Sequence, residues 1–167
     1  YQSIDTGGIA MEKIHVNDDI NYNYWSTAIF AISKSGELYV WGYNTGSFGV
    51  GHKDDFQVFT KVPGFADSVV DVITNGFSGY GALVLTKSGE VYGAGSNWKG
   101  TLGLGSQTEF LTFTKVETQV PIEKISNAGR IWYYSFLLGT NGQVYIAGDD
   151  YGNRFIPLEG VSNVKWI

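Results

Sequence analysis

Cysteine is absent from the 167 residues, which rules out disulfides and thiolate metal sites together. Arginine occurs only at Arg130 and Arg154, the lysines form no stripe, and the net charge is −5, so nucleic acid is not expected as a partner. No stretch approaches 18 consecutive apolar residues, and no membrane-spanning helix is expected. The two histidines, His15 and His52, have no repeated companion, and no Gly-x-Ser-x-Gly elbow is present. Neither a metal centre, nor a cofactor, nor a nucleophile-base pair is therefore expected. The chain opens on Tyr1 rather than Met, which fits processing, cleavage or trimming, with any signal peptide no longer visible.

What is present is apolar and aromatic. Hydrophobic residues make up 43% and aromatic ones 16%, while charged residues are only 16%, so the chain has the material for a core and is not disordered. Its organisation shows in residues 83–105, because that stretch recurs on both sides. Lys-Ser-Gly-Glu stands at Gly36 and again at Gly89, Thr-Asn-Gly-Gln carries Gly142, and 53 residues separate each of these glycines from the next. Counting from each glycine, Phe30, Leu83 and Phe136 share a column, as do Ile32, Leu85 and Leu138, with the alternation of a strand. After it come Leu38-Tyr39, Val91-Tyr92 and Val144-Tyr145, then Gly42, Gly95 and Gly148. Each unit thus starts with a β-hairpin whose structural turn glycine, Gly36, Gly89 or Gly142, takes a positive φ without steric cost.

A glycine-rich connection follows, then Phe-Thr-Lys-Val at 59–62 and 113–116, then a fourth apolar run at 68–73 and 120–125. The third unit departs from this: Phe155 follows Gly148 by 7 residues, where Phe113 follows Gly95 by 18. No helical period extends over 11 residues. Four short strands per unit of about 50 residues indicate an all-β fold, a β-propeller segment of about three four-stranded blades in an incomplete ring. Residues 1–24 are read as the end of a preceding incomplete blade plus a loop, residues 11–16 being its last strand. Residues 25–167 are read as one domain of three repeats, about 25–73, 74–126 and 127–167.

The string Ser88-Gly89-Glu90-Val91-Tyr92-x-x-Gly95-x-Asn97-x-x-Gly100-Thr101-Leu102-Gly103-Leu104-Gly105 resembles the signature of the regulator of chromosome condensation repeat, usually a seven-bladed propeller. The first unit keeps Trp41-Gly42-x-Asn44, and the third matches only as far as Gly148. The His that often precedes the family's hairpin is replaced by Ala28, Gly81 and Tyr134, which places the chain in a divergent branch. The resemblance implies a scaffold shared by an exchange factor for the GTPase Ran, a plant ultraviolet photoreceptor, an inhibitor of β-lactamases and many bacterial and phage proteins. Fold does not fix function. Seven blades at this period need about 370 residues, so the ring is expected to be completed by the rest of a longer chain or by oligomerisation.

Of the chemical constellations, the acid pairs Asp18-Asp19, Asp54-Asp55 and Asp149-Asp150 fall in loops, and Glu37 and Glu90 flank hairpin turns; all are read as solvated turn acids rather than a catalytic pair. A calcium loop at 149–153 lacks EF-hand spacing and a closing Glu. Asp150 takes the column of Asn44 and Asn97, where a turn cap is the simpler role. No catalytic residue is assigned. The aromatic residues that vary between units are the more informative, because loops at propeller faces are where partners dock. Trp98 stands where the first unit has Thr45, and Tyr43, Tyr80, Trp132, Tyr133 and Tyr151 complete the partner-binding candidates. The expected function is a non-catalytic binding module that presents aromatic and polar loops to a protein or glycan. Low Arg, absent Cys and many Asn and Tyr fit a bacterial surface or phage virion component, such as a tail or receptor-binding protein. The alternatives are a propeller glycosidase using loop carboxylates and a small-GTPase regulator.

Overall fold

In the computed structural model, residues 5–18, 27–75, 81–127, 133–165 and 167 are described. They form twelve strands in three antiparallel sheets, with no α-helix among the described residues. The first sheet is β1 (Met11–Asp18), β2 (Thr27–Ser33), β3 (Leu38–Gly42) and β4 (Phe56–Lys61). The second is β5 (Val69–Asn75), β6 (Gly81–Thr86), β7 (Val91–Gly95) and β8 (Phe110–Lys115). The third is β9 (Ile122–Asn127), β10 (Ser135–Gly139), β11 (Val144–Ala147) and β12 (Ile156–Pro157). Three unclosed four-stranded sheets make an incomplete propeller, as the repeats predict.

The sheets are offset from the sequence repeats by one strand. Residues 68–73 and 120–125, which end their repeats, open the next sheets as β5 and β9. Residues 11–16, expected as the last strand of a preceding unit, lie in β1 and pair with β2 in the first sheet. The hydrogen bonds show why. Val69 N–H donates to the Gly36 carbonyl at 2.8 Å and Ile122 N–H to the Gly89 carbonyl at 2.9 Å, so each run leaves from the hairpin turn of the sheet before it. The edge beside β2 is already taken by β1, and the run pairs instead with the next hairpin. Gly36, Gly89 and Gly142 stand in these turns at φ +79°, +84° and +76°.

The central strands of the second sheet, β6 and β7, are buried on both faces because that sheet is sandwiched between the other two. In β6, Ala82 and Val84 join Phe30, Val40 and Phe48 in the core between the first and second sheets. Leu83 and Leu85, one residue out of step, join Leu102, Ile125 and Leu137 in the core between the second and third. This explains near-continuous apolar strands where a one-sided sheet would alternate with polar residues. β5 contacts both β1 and β9, all three being the first strands of their sheets, while β4, β8 and β12 lie at the periphery.

The glycine-rich connection is the joint between blades. Gly49 and Gly103 lie against Phe113 and Phe155 of the following sheet so closely that an added Cβ would stand 2.3 Å and 2.2 Å from the ring. Gly51 N–H donates to the Leu111 carbonyl and Gly105 N–H to the Asn153 carbonyl, both at 2.7 Å, so each loop also adds a bridge to the next blade's outer edge. Phe65 seals the first joint, 5.3 Å from Tyr92 and 5.2 Å from Phe113 between ring centroids.

The outer strands are held by a repeated clamp. Lys61 donates to Glu37, which also accepts the Tyr39 hydroxyl at 3.2 Å; Lys115 donates to Glu90, which accepts Tyr92 at 2.8 Å. The Lys61 ammonium, with Ser35 and Tyr39, holds the Glu37 carboxyl below the usual carboxylate range, and Lys115, with Tyr92, does so for Glu90. In the third blade Gln143 replaces the acid and donates to the carbonyls of Leu158 and Val161, both at 3.1 Å.

Two outcomes test this frame. Gly103→Ala, at φ +67°, combines a left-handed backbone penalty with a ring clash and is expected to cost about 2–4 kcal/mol in thermal unfolding. Gly160→Ala, at φ +74° in open space, carries only the backbone penalty and is expected to cost no more than about 2 kcal/mol; equal losses would remove the joint from the explanation. The clamps contribute stability above the unfolded carboxylate pKa and lose it as pH falls through the lowered folded values. The Tm gap between the parent and the Glu37→Gln, Glu90→Gln double variant should therefore be full at pH 7 and close below about pH 4.

Candidate functional site

In the sheet registers Ala28 pairs with Gly42, Gly81 with Gly95 and Ser135 with Ala147, so β3, β7 and β11 leave their sheets at one end. The third-to-fourth strand loops all lie there. Two of them are organised by a buried asparagine. Asn44 donates to the His52 carbonyl at 2.8 Å and accepts Gly46 N–H at 2.9 Å; Asn97 donates to the Ser106 carbonyl at 2.6 Å and accepts Leu102 N–H at 2.7 Å. Their counterpart Asp150 is exposed.

The second and third loops meet in an aromatic ledge. Trp98 opens a single 3-10 turn, is 57% exposed, and stands edge-on to Tyr133 with centroids 5.0 Å apart at 82°. Lys99 Nζ lies 5.3 Å from the Trp98 ring centroid and 2.9 Å from Asp149 Oδ1 in the neighbouring loop. Both partners of this ion pair are non-glycine residues at positive φ, Lys99 at +69° and Asp149 at +33°. Such backbone strain persists only where the surroundings over-determine it. The hydrogen bond from Lys99 to Asp149 raises the lysine pKa, so the ammonium stays charged throughout the neutral range. Tyr151, exposed, packs edge-on to Tyr134 at 5.7 Å, and burial followed by the nearby Asp150 and Asp149 charges pushes the Tyr134 phenol up.

Three of the six aromatic candidates, Trp98, Tyr133 and Tyr151, therefore come together here. Tyr43, also exposed, lines a separate open cleft of about 690 Å³ with Asp54, Asp55, Ser96 and Glu109, closed on one side by a Lys53–Glu109 ion pair of 2.6 Å. Tyr80 and Trp132 lie outside the described residues. Sequence reasoning passed over Tyr134 and the Lys99–Asp149 pair, whose partners are far apart in the chain; the signal available was the change from Asn to Asp at position 150 and the shortened loop. That shortening has a second effect. Phe30 and Leu83 are wholly buried under the loops of their own units, whereas Phe136, in the same column, is only half-buried.

The acids weighed as catalytic are engaged locally. Asp55 accepts Asn44 N–H at 2.8 Å, Asp54 lies 3.3 Å from His52 Nδ1, and Asp149 is paired with Lys99. Glu37 and Glu90 are not free turn acids but the centres of the clamps. Among the described residues no three His, Asp or Glu side chains converge as metal ligands, and no helix is long and apolar enough to cross a membrane. His15 is half-buried between the first two sheets, 3.0 Å from Thr74 Oγ1, with its pKa lowered by burial.

No protein-family model matches the chain. The chain is 31% identical over 136 residues to the secretion-regulating guanine nucleotide exchange factor of Mus musculus, a match covering 79% of this chain and 28% of that protein. It is 30% identical over 145 residues to the ultraviolet-B receptor of Arabidopsis thaliana, covering 80% and 32%. Among solved structures it is similar to Prp20p of Saccharomyces cerevisiae, whose binding to Gsp1p and histones is described with it. That likeness has a TM-score of 0.66 at 18% identity and covers 80% of this chain and 36% of that one. The chain thus spans about a third of each of these three proteins, and they supply no support for a phage or bacterial-surface origin.

Replacing Lys99 by Gly removes a left-handed backbone penalty of about 1–2 kcal/mol and a solvent-screened surface ion pair, which contributes little. Lys99→Gly is accordingly expected to leave Tm unchanged or raise it by a few degrees; a fall of more than about 4 °C would show that the ion pair outweighs the strain.

Proposed function

This chain belongs to the regulator of chromosome condensation repeat family, and from that premise we propose that it is a non-catalytic binding module whose Trp98–Tyr133–Tyr151 ledge holds a protein partner. The observation that carries this reading is the placement of an exposed tryptophan on a strained, charge-paired loop. Trp98 presents a large apolar face to solvent at 57% exposure, while its edge rests on Tyr133 and the next residue is pinned to Asp149. A side chain fixed before binding loses little conformational freedom on binding, and tryptophan is among the residues most enriched as interface anchors. The half-buried Phe136 and exposed Tyr43 extend the polar and aromatic character of this end.

Protein is favoured over glycan because this face is studded with paired charges of both signs, Lys53 with Glu109 and Lys99 with Asp149, which suit an electrostatically complementary partner surface. A small GTPase is the first partner to try, since the mouse relative is named for guanine nucleotide exchange. A glycan bound on the same tryptophan, as on a virion or cell surface, is the second.

The experiment immobilises the protein and measures binding of a panel of small GTPases and of a glycan array, with nucleotide release followed for each GTPase. Trp98→Ala is expected to weaken capture about 10-fold or more with far-UV circular dichroism unchanged. Undiminished capture by that variant would remove the ledge, and turnover of a glycan lost on Asp54→Asn or Asp149→Asn would replace binding by hydrolysis.

A further inference from the structure

The two linkers that carry the chain from an outer strand to the first strand of the next sheet are anchored alike and filled differently. Val62 N–H donates to the Leu38 carbonyl and Val69 N–H to that of Gly36, both at 2.8 Å; Val116 N–H donates to the Val91 carbonyl at 2.8 Å and Ile122 N–H to that of Gly89 at 2.9 Å. Residues 63–68 cross between the first pair of bonds and residues 117–121, one fewer, between the second. In the first linker Phe65 lays its ring on the receiving blade, edge-on to Tyr92 and tilted against Phe113. The second linker reads Glu-Thr-Gln-Val-Pro and has no aromatic residue. Its Val120 turns to the hairpin instead, with Cγ2 2.8 Å from where a Cβ on Gly139 would stand.

The receiving half is nonetheless kept. Tyr145 stands in the column of Tyr92, and Phe155 packs on Gly103 as Phe113 packs on Gly49. With no ring between this pair and the linker, a pocket of about 240 Å³ opens there, walled by Tyr145, Phe155 and Leu137 and rimmed by Glu117, Gln119 and Arg154. A cavity of roughly 150 Å³ takes a benzene and a drug-sized ligand needs about 300 Å³ or more, so this one is sized for a single ring with its methylene. On the rim Arg154 Nη1 lies 2.7 Å from Glu117 Oε2, so the two charges offset each other. Among the described residues the N–H groups of Glu117, Thr118 and Gln119 bond to no other group of the chain, which leaves backbone donors open beside the mouth.

We propose that this pocket is the anchor site for one phenylalanine side chain of a partner polypeptide, its ring lying against Tyr145 and Phe155 as Phe65 lies against Tyr92 and Phe113. The chain itself shows what the site accepts, since the same two walls hold a phenyl ring one blade earlier. A ring seated on such a pair gains both burial and edge-to-face attraction, and a polar rim that shuts out water surrounds the anchors of protein interfaces. An ionic substituent on the ring is disfavoured, because Arg154 and Glu117 already satisfy each other. The open amides favour a peptide over a free aromatic molecule, which brings no backbone carbonyl to accept from them. The site shares no residue with the Trp98 ledge, so the two stand or fall separately.

The test titrates the 167-residue chain with the blocked peptide acetyl-Gly-Ser-Phe-Ser-Gly-amide and follows the backbone amide signals of residues 117–119, 154 and 155 by NMR. Millimolar binding with shifts at these residues is expected, weakened about ten-fold or more when the phenylalanine of the peptide is replaced by alanine. Two variants supply the ring from within the chain. Phe65 corresponds to Gln119 when counted from Val116 and to Thr118 when counted back from Ile122, so Gln119→Phe and Thr118→Phe are made singly. At least one of them, with the circular dichroism of the parent, should lose affinity for the peptide about ten-fold or more. Benzyl alcohol, which brings the ring without a backbone, should bind the parent about ten-fold more weakly than the peptide does. No phenylalanine-dependent shift in the parent, or undiminished binding by both folded variants, would overturn the proposal. Benzyl alcohol bound as tightly as the peptide would overturn the choice of a polypeptide.

Discussion

Backbone and aromatic ring meet at each junction between blades, and that contact sets most of the remaining structure. A phenylalanine at the outer edge of one sheet, Phe113 in β8 or Phe155 just before β12, can pack this closely on the loop of the sheet before it only where the loop has no side chain, at Gly49 and at Gly103. The flanking apolar residues, Phe48 and Leu102, then turn inward and are wholly buried in the two cores. Stability in such an array is close to a sum of blade terms and nearest-neighbour terms, so each sheet relies on its neighbours for half of its burial.

The hairpins, the blade count and the glycine turns were legible because their residues stand in columns 53 apart. A column reports a local constraint that every unit must satisfy. The division of strands among sheets was not legible, since a periodic pattern has no privileged starting point and strand four of one unit and strand one of the next are the same segment under two names. Nor was the ledge fully legible. Trp98 stood out by departing from its column, but the pairing of Lys99 with Asp149 joins loops of different units and leaves no mark on the spacing. The clamps show the converse case: Glu37, Tyr39 and Lys61 are all repeated, yet read singly they look like a solvated turn acid, a packing tyrosine and a surface lysine.

Repetition and exception divide the labour. Residues held in common, the turn glycines, the clamps and the joint glycines, build an almost uniform stack. Residues that differ are concentrated at one end of the sheets, where the third unit has lost its long loop, Phe136 is partly uncovered, and the strained pair beneath Trp98 joins two blades. A scaffold of this sort keeps its architecture while its loops change, which is how proteins with the same repeats come to carry different partner specificities.

The one-strand offset between repeat and sheet has a bearing on how such a chain grows. A duplicated stretch of 53 residues does not append a self-contained sheet; it threads its final strand into the neighbour that follows and leaves its own first position to be filled by the neighbour before. Each gain of a unit is thereby stitched into the array on both sides, and the unit that is inherited is never the unit that is assembled.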